Sequence, residues 1–201
     1  MDELIAGYRR FRATQWPERR ATFESLAQAG QAPRAMVVAC SDSRVDPAMI
    51  FHAGPGELFV MRNVANLVPP YAPDSRAHAT SAALEFGVRV LEVAHLIVMG
   101  HAMCGGIRAL LEGPSSVTGD FLPPWMQIAE PAKRRALECR PADPQAACER
   151  EAVKLSLENL LTFPWIAERV AGGRLTLHGA IFDIRTGELA FLGRDGAFAA
   201  V

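Results

Sequence analysis

The sequence predicts an α/β protein: a mainly parallel central sheet flanked by helices, with an antiparallel edge strand. Three observations support this. The strand-like runs are apolar on both faces, as strands covered on both sides are. Helical periodicity lies between most of them. The last two runs are joined by "RTGE", which reads as a hairpin turn and adds the antiparallel edge.

Taken in order, the first residues read as a helical arm over about 1–30 on a single domain spanning 1–201. In "MDELIAGYRRFRATQW", Leu4, Tyr8 and Phe11 fall on one helical stripe with Ile5 and Trp16 nearby, a large apolar face for a chain terminus. Strands follow at about 35–39 ("AMVVA") and 56–63 ("GELFVMRN"). In "PDSRAHATSAALEFGVRVLEV" the apolar residues Ala79, Ala82, Ala83, Phe86, Val90 and Val93 recur at three- and four-residue steps, behind Asp74 or Ser75 as the N-cap. Further strands are expected at 95–100 ("HLIVMG"), 175–184 ("LTLHGAIFDI") and 188–193 ("ELAFLG"), with loops at "EGPSSVTGD" and "CRPADP".

Composition narrows the function. A chain of 201 residues that is 50% hydrophobic can bury a core without staples. With 21 basic against 22 acidic residues it offers no basic footprint, so nucleic acid is not an expected partner. The apolar runs are strand-sized, far short of the roughly 20 residues that span a membrane, and the amino terminus does not read as an export signal. The expected location is cytoplasmic, where four cysteines (Cys40, Cys104, Cys139 and Cys148) serve metal binding or catalysis better than disulfides.

In a sheet of this kind ligands bind beyond the carboxyl ends of the strands. "AMVVA" runs into "CSDSR" and "HLIVMG" runs into "HAMCGG". Cys40, His101 and Cys104 would give two thiolates and an imidazole, a set that suits Zn²⁺ and leaves a fourth position open, as catalytic sites do. Spacing alone leaves another reading open, two ordinary buried cysteines and a satisfied histidine. The neighbouring "SDSR" favours the metal: Asp42 and Arg44 lie on one side of an extended loop, where the guanidinium can grip the carboxylate bidentately. A cysteine-phosphatase loop is excluded, because it needs five residues between Cys and Arg and both Cys40 to Arg44 and Cys104 to Arg108 have three. The other histidines, His52, His78, His95 and His178, read as surface, helix-end or strand residues.

With these residues in place the sequence closely resembles the beta-class carbonic anhydrases, through "CSDSR", "PGELFVMRNVANLVPP" and "GHAMCGG", and more loosely through "EREAVKLSLENLLTFPWI" and "LTLHGAIFDI". The resemblance implies one Zn²⁺ per subunit on Cys40, His101 and Cys104, Asp42 and Arg44 as a catalytic dyad, and attack of zinc-bound hydroxide on CO2 to give bicarbonate and a proton. It also implies a substrate pocket from Gln31, Phe59, Val64, Phe86 and Gly105 at a dimer interface, in a homodimer or tetramer. Phe86 stands where a tyrosine is often found. Two other readings stay open: a zinc hydrolase of a related heterocumulene such as carbon disulfide or carbonyl sulfide, and a catalytically silent zinc-stabilised binding protein. Some relatives close the site by moving the aspartate onto zinc, with bicarbonate held by a tryptophan, an arginine and a tyrosine. Here those positions match Val37, Arg62 and Phe182, so Asp42 is expected to stay on Arg44.

Overall fold

A computed structural model describes all residues except 75, 76, 114, 115, 117 and 118. The chain runs α1 (Asp2–Ala29), β1 (Ala35–Cys40), α2 (Pro47–Ile50), β2 (Leu58–Asn63), α3 (Ala79–Glu85), β3 (His95–His101), α4 (Gly105–Glu112), α5 (Leu122–Met126), α6 (Glu130–Glu138), α7 (Pro144–Leu160), α8 (Pro164–Ala171), β4 (Thr176–Phe182), β5 (Leu189–Leu192) and β6 (Phe198–Ala200). The six strands form one sheet in the order β2-β1-β3-β4-β5-β6. The first four are mutually parallel, and β5 and β6 add to the edge in antiparallel fashion. The expected fold class is therefore present, with a second antiparallel strand that the sequence reading did not include.

Alternation along the buried strands divides the core. Met36, Val38, Leu96 and Val98 face Val153 and Leu160 of α7, Ile166 of α8 and Leu84 of α3. Val37, Ala39, Met99 and Ala180 point the other way, under Ile50, Phe51 and Phe191. A third cluster gathers Cys40 and Cys104 with Ile107, Met126, Ala132, Cys148 and Ala152 beyond the carboxyl ends of the strands. β1 is followed by β2 on one side and flanked by β3 on the other, so the switch point of the sheet lies between the ends of β1 and β3.

The segment after residue 73 departs from the expected phase. The helix starts at Ala79 with His78 at the N-cap, and His78 Nε2 lies 2.7 Å from Asp74 Oδ1; Ser75 lies outside the described residues. It continues through a π turn, Phe86–Val90. The buried stripe is Thr80, Leu84, Gly87 and Val88, whereas Ala79, Ala82, Phe86 and Val90 face outward. The reason is the tight fit at Gly87, where a Cβ would stand 2.6 Å from Met36 Sδ, so the small residue points at the sheet and the larger apolar ones point away.

α1 contains no buried residue, and Leu4 and Tyr8 are 74% and 61% exposed. Its later part is seated on the domain, with Leu26 against Gly56. Among the described residues no helix is long and apolar enough to cross a membrane. The loop expected at "EGPSSVTGD" falls largely on residues outside the described set, and "CRPADP" lies between α6 and α7 as expected.

The approach of α7 to the sheet gives a direct test of this packing. At Gly100 in β3, a Cβ would meet Val153 Cγ2 at 2.7 Å and Ile181 Cδ1 at 2.8 Å. Gly100→Ala should destabilise the fold by about 1–3 kcal/mol in denaturant unfolding, because overpacking forces the facing side chains off their rotamers; an unchanged midpoint would contradict this arrangement.

Candidate metal centre

The register of the parallel strands assembles the site. Ala39 of β1 pairs with Met99 of β3, so the chain leaves the sheet at Cys40 and at His101 in adjacent positions. After His101 the backbone reverses through Met103, whose φ of 58° is left-handed and costs a non-glycine residue about 1–3 kcal/mol. The reversal returns Cys104, which caps the start of α4 in extended conformation. One ligand atom from each of Cys40, His101 and Cys104 then lies within 4.8 Å of the others, and all three residues are buried. These are the three residues expected from the sequence.

The donor set fits a zinc ion. His101 Nδ1 lies 2.9 Å from the carbonyl of Ala102, which can only accept, so Nδ1 carries the proton and Nε2 presents a lone pair. That Nε2 is buried without a hydrogen-bond partner among the described residues, a costly condition that a cation relieves. Hydrogen bonding from Cys104 is the largest cause holding the Cys40 thiol well below its usual range, against burial, with the backbone N–H groups of Asp42 and Ala65 adding to it. Cys104 is pushed up, first by that same contact with Cys40 and then by burial and the Cys40 charge. Metal ligation requires both sulfurs as thiolates, so a dication binding here would release whatever thiol protons remain.

Asp42 and Arg44 sit on the rim. Arg44 donates from its backbone N (3.0 Å) and Nε (2.9 Å) to Asp42 Oδ1, and from its terminal guanidinium nitrogen to Oδ2 at 2.6 Å. Hydrogen bonding from Arg44 is the largest cause holding the Asp42 carboxyl well below the usual carboxylate range. The same terminal nitrogen reaches the Met103 carbonyl at 3.3 Å, tying the loop after β1 to the left-handed turn after β3. Oδ2 accepts one bond from Arg44 and lies 4.0 Å from His101 Nε2, so a lone pair remains on the metal side.

A second Asp-x-Arg pair shows what the motif does alone. Asp183 and Arg185 make the same set of bonds, from backbone N (2.8 Å), Nε (3.0 Å) and the terminal nitrogen (2.7 Å), in the hairpin between β4 and β5. Both pairs lock their turns; at Asp42 the pair also places a carboxylate oxygen 4.0 Å from His101 Nε2, at the edge of the Cys40, His101, Cys104 cluster.

The expected pocket residues are brought together in part. The rings of Phe59 and Phe86 are 5.7 Å apart. Val64 leads the short turn Val64–Asn66, which Asn63 closes through both polar atoms of its amide to the backbone of Leu67, and Trp125 donates to the Val64 carbonyl at 2.8 Å. Val64 also lies against Gly106, where a Cβ would approach its Cγ1 to 2.9 Å. Gly105 opens α4 with nothing near its Cβ direction. Gln31, in the exposed loop 30–34, has no side-chain hydrogen bond among the described residues. Arg62 is spent on the carbonyls of Cys40 (2.8 Å) and Asp42 (2.6 Å) and on Asp46 (3.1 Å), while Val37 is buried in the sheet.

Sequence reasoning missed Glu149 and Gln145. Glu149, on α7, is 4% exposed and accepts from the backbone N of Cys104 at 2.8 Å and from Gln145 at 3.0 Å. It fixes the Cys104 backbone, and burial is the main cause that raises its carboxyl above the usual range. The signal in the sequence was a charge on an apolar stripe, since Glu149 shares its face with Ala152, Val153, Ser156 and Leu160, all buried.

The carbonic anhydrase family model matches residues 35–189. Beta carbonic anhydrase 3 of Arabidopsis thaliana is 37% identical over 195 residues, covering 93% of this chain and 74% of the plant protein. The solved beta-carbonic anhydrase CcaA superposes with a TM-score of 0.91 at 35% identity, over 100% of this chain and 92% of the other. A tetrameric beta-carbonic anhydrase of the filamentous ascomycete Sordaria macrospora gives 0.82 at 29% identity, over 99% and 98% of the two chains. Likeness of that extent, on a chain whose thiols and imidazole already converge at the switch point of its sheet, identifies this protein as a member of the beta-class carbonic anhydrases, zinc enzymes that hydrate carbon dioxide.

Proposed function

We propose that Cys40, His101 and Cys104 hold the zinc of a reversible CO2 hydration, CO2 + H2O giving bicarbonate and a proton, and that Asp42, pinned by Arg44, is its catalytic carboxylate. The observation that carries this assignment is Asp42 Oδ2, which faces His101 Nε2 at 4.0 Å with one lone pair unspent. Bound zinc supplies the acidification of water that makes a nucleophile available near neutral pH. Two thiolate ligands cancel the formal charge of the dication, so the site needs help from its own side chains. Asp42 accepts a hydrogen bond from the attacking oxygen and turns that oxygen's lone pair toward the carbon. Arg44 keeps Asp42 ionised and in place, and through the Met103 carbonyl keeps the two ligand loops together.

Phe59, Val64 and Phe86 would form the apolar wall for CO2, with the Gln31 amide and Gly105 beside the oxygens of bicarbonate. Phe86 is 43% and Val64 39% exposed within one chain, which supports a pocket completed by a second subunit. The uncovered apolar stripe of α1 supports the same assembly, a homodimer or tetramer built with the 1–30 arm on a domain that takes in the whole chain. A cytoplasmic location agrees with four free cysteines. The comparisons give no support to a heterocumulene hydrolase or a silent zinc protein, as the relatives reported above bear the names of carbonic anhydrases.

Binding and catalysis are assigned to different residues and separate by mutation. Cys104→Ser should lose zinc, whereas Asp42→Asn should retain it and lose CO2 hydration by about 100-fold or more in stopped-flow measurements on metal-quantified protein. An Asp42→Asn enzyme with full activity would remove the dyad from the mechanism. Light scattering at assay concentration should give at least twice the 21.8 kDa chain mass, reduced by Leu4→Arg with Tyr8→Arg. A fully active monomer would contradict the shared pocket.

A further inference from the structure

The sheet carries a second pair of metal-ligating side chains at the end away from the metal centre. His95 opens β3, and His178 in β4 stands in register with Ile97. Side chains alternate along a strand and registered partners share a face, so His95, Ile97 and His178 project to the same side of the sheet. There His95 Nδ1 and His178 Nε2 lie 3.1 Å apart, with ring centroids 5.2 Å apart and planes inclined at 53°. Phe191 of β5 stands edge-on to His178 at 6.5 Å and backs its ring. Six residue steps of extended strand, about 20 Å, separate His95 from His101, so the CO2 reaction makes no use of this pair.

Two imidazole nitrogens at this distance can share a proton or share a cation. With metal–nitrogen bonds of about 2.0–2.1 Å, a separation of 3.1 Å subtends roughly 100° at the ion, between a square-planar and a tetrahedral angle. The pair is therefore already spaced as a chelate, from two adjacent strands whose backbones are fixed by the ladder. His95 is exposed, which leaves the remaining coordination positions to water, and His178 is half-buried and rigidly backed. Burial first, and His95 second, hold His178 below its usual range, so its ring is neutral and its lone pair available near pH 7.

We propose that His95 and His178 form a second cation site, selective for a late first-row divalent ion of the Ni²⁺, Cu²⁺, Zn²⁺ class that imidazole prefers. It is an open two-histidine site with no thiolate, so it exchanges its ion readily while the buried Cys40, His101, Cys104 site retains zinc.

The test is calorimetric titration of Ni²⁺ into the zinc-loaded protein in its native assembly, with zinc release followed in parallel. Wild type should take up one additional equivalent per chain without releasing zinc. His95→Ala and His178→Gln should each weaken that uptake at least tenfold while CO2 hydration stays unchanged, and His95 is exposed enough for its replacement to leave the fold intact. Paramagnetic Ni²⁺ should broaden the ring resonances of His95 and His178 before those of His52 and His78. No uptake by wild type at about 1 mM free Ni²⁺, uptake only as zinc is released, or equal uptake by both variants would overturn the proposal.

Discussion

The parallel pairing of β1 with β3 is the constraint on which the rest of the site depends. It brings two segments far apart in sequence to a common end, so that Cys40 and His101 leave the sheet side by side. Because the chain goes to β2 on one side of β1 and to β3 on the other, nothing of the sheet's own connections fills the space between those ends. Helix α4 then starts where the third ligand is needed, and α7 supplies Glu149 behind it to fix the Cys104 backbone. A one-residue slip between β1 and β3 would shift the two strand ends out of line and set the residues of one face of β1 beside those of the other face of β3, which the buried alternation of Val37, Val38, Val98 and Met99 opposes.

The rim follows a different logic from the ligands. Cys40, His101 and Cys104 are buried and costly to leave without a cation, whereas Asp42 and Arg44 satisfy each other through their own hydrogen bonds. The twin pair Asp183 and Arg185 makes the point, since it closes a hairpin with the same bonds. What sets the Asp42 pair apart from its twin is its placement, which supports the proposed catalytic role: Asp42 Oδ2 faces His101 Nε2 in the ligand cluster, and Arg44 also bonds the carbonyl of Met103, in the left-handed turn that delivers Cys104. Arg62, bonded to two carbonyls of the same loop, stiffens the base from which the dyad rises.

The strands that carry the site were legible because strands buried on both faces are apolar throughout, and their abrupt ends in "CSDSR" and "HAMCGG" stood out for that reason. The three-residue β6 left no signal of its own, being mostly exposed and held by pairing to β5. The phase of α3 was misread because that segment carries two stripes. The outward one, with Ala82, Phe86 and Val90, is the more hydrophobic, while the inward one uses Thr80 and Gly87, and only the closeness of Met36 decides between them. Family likeness supplied the roles of Gln31, Phe59, Val64, Phe86 and Gly105, which composition and spacing could not, since an aromatic or a valine near a strand end is core by default. Glu149 escaped because its partner is a backbone amide, 45 residues earlier in the chain, which no side-chain motif records.

The central claim is that a single zinc ion sits on Cys40, His101 and Cys104. Zinc K-edge X-ray absorption on the purified protein near neutral pH tests it most directly. The account predicts two sulfur ligands at about 2.3 Å and two nitrogen or oxygen ligands at about 2.0–2.1 Å, one of them an imidazole. A sulfur-free shell, or a shell of four protein ligands with no position for water, would contradict it.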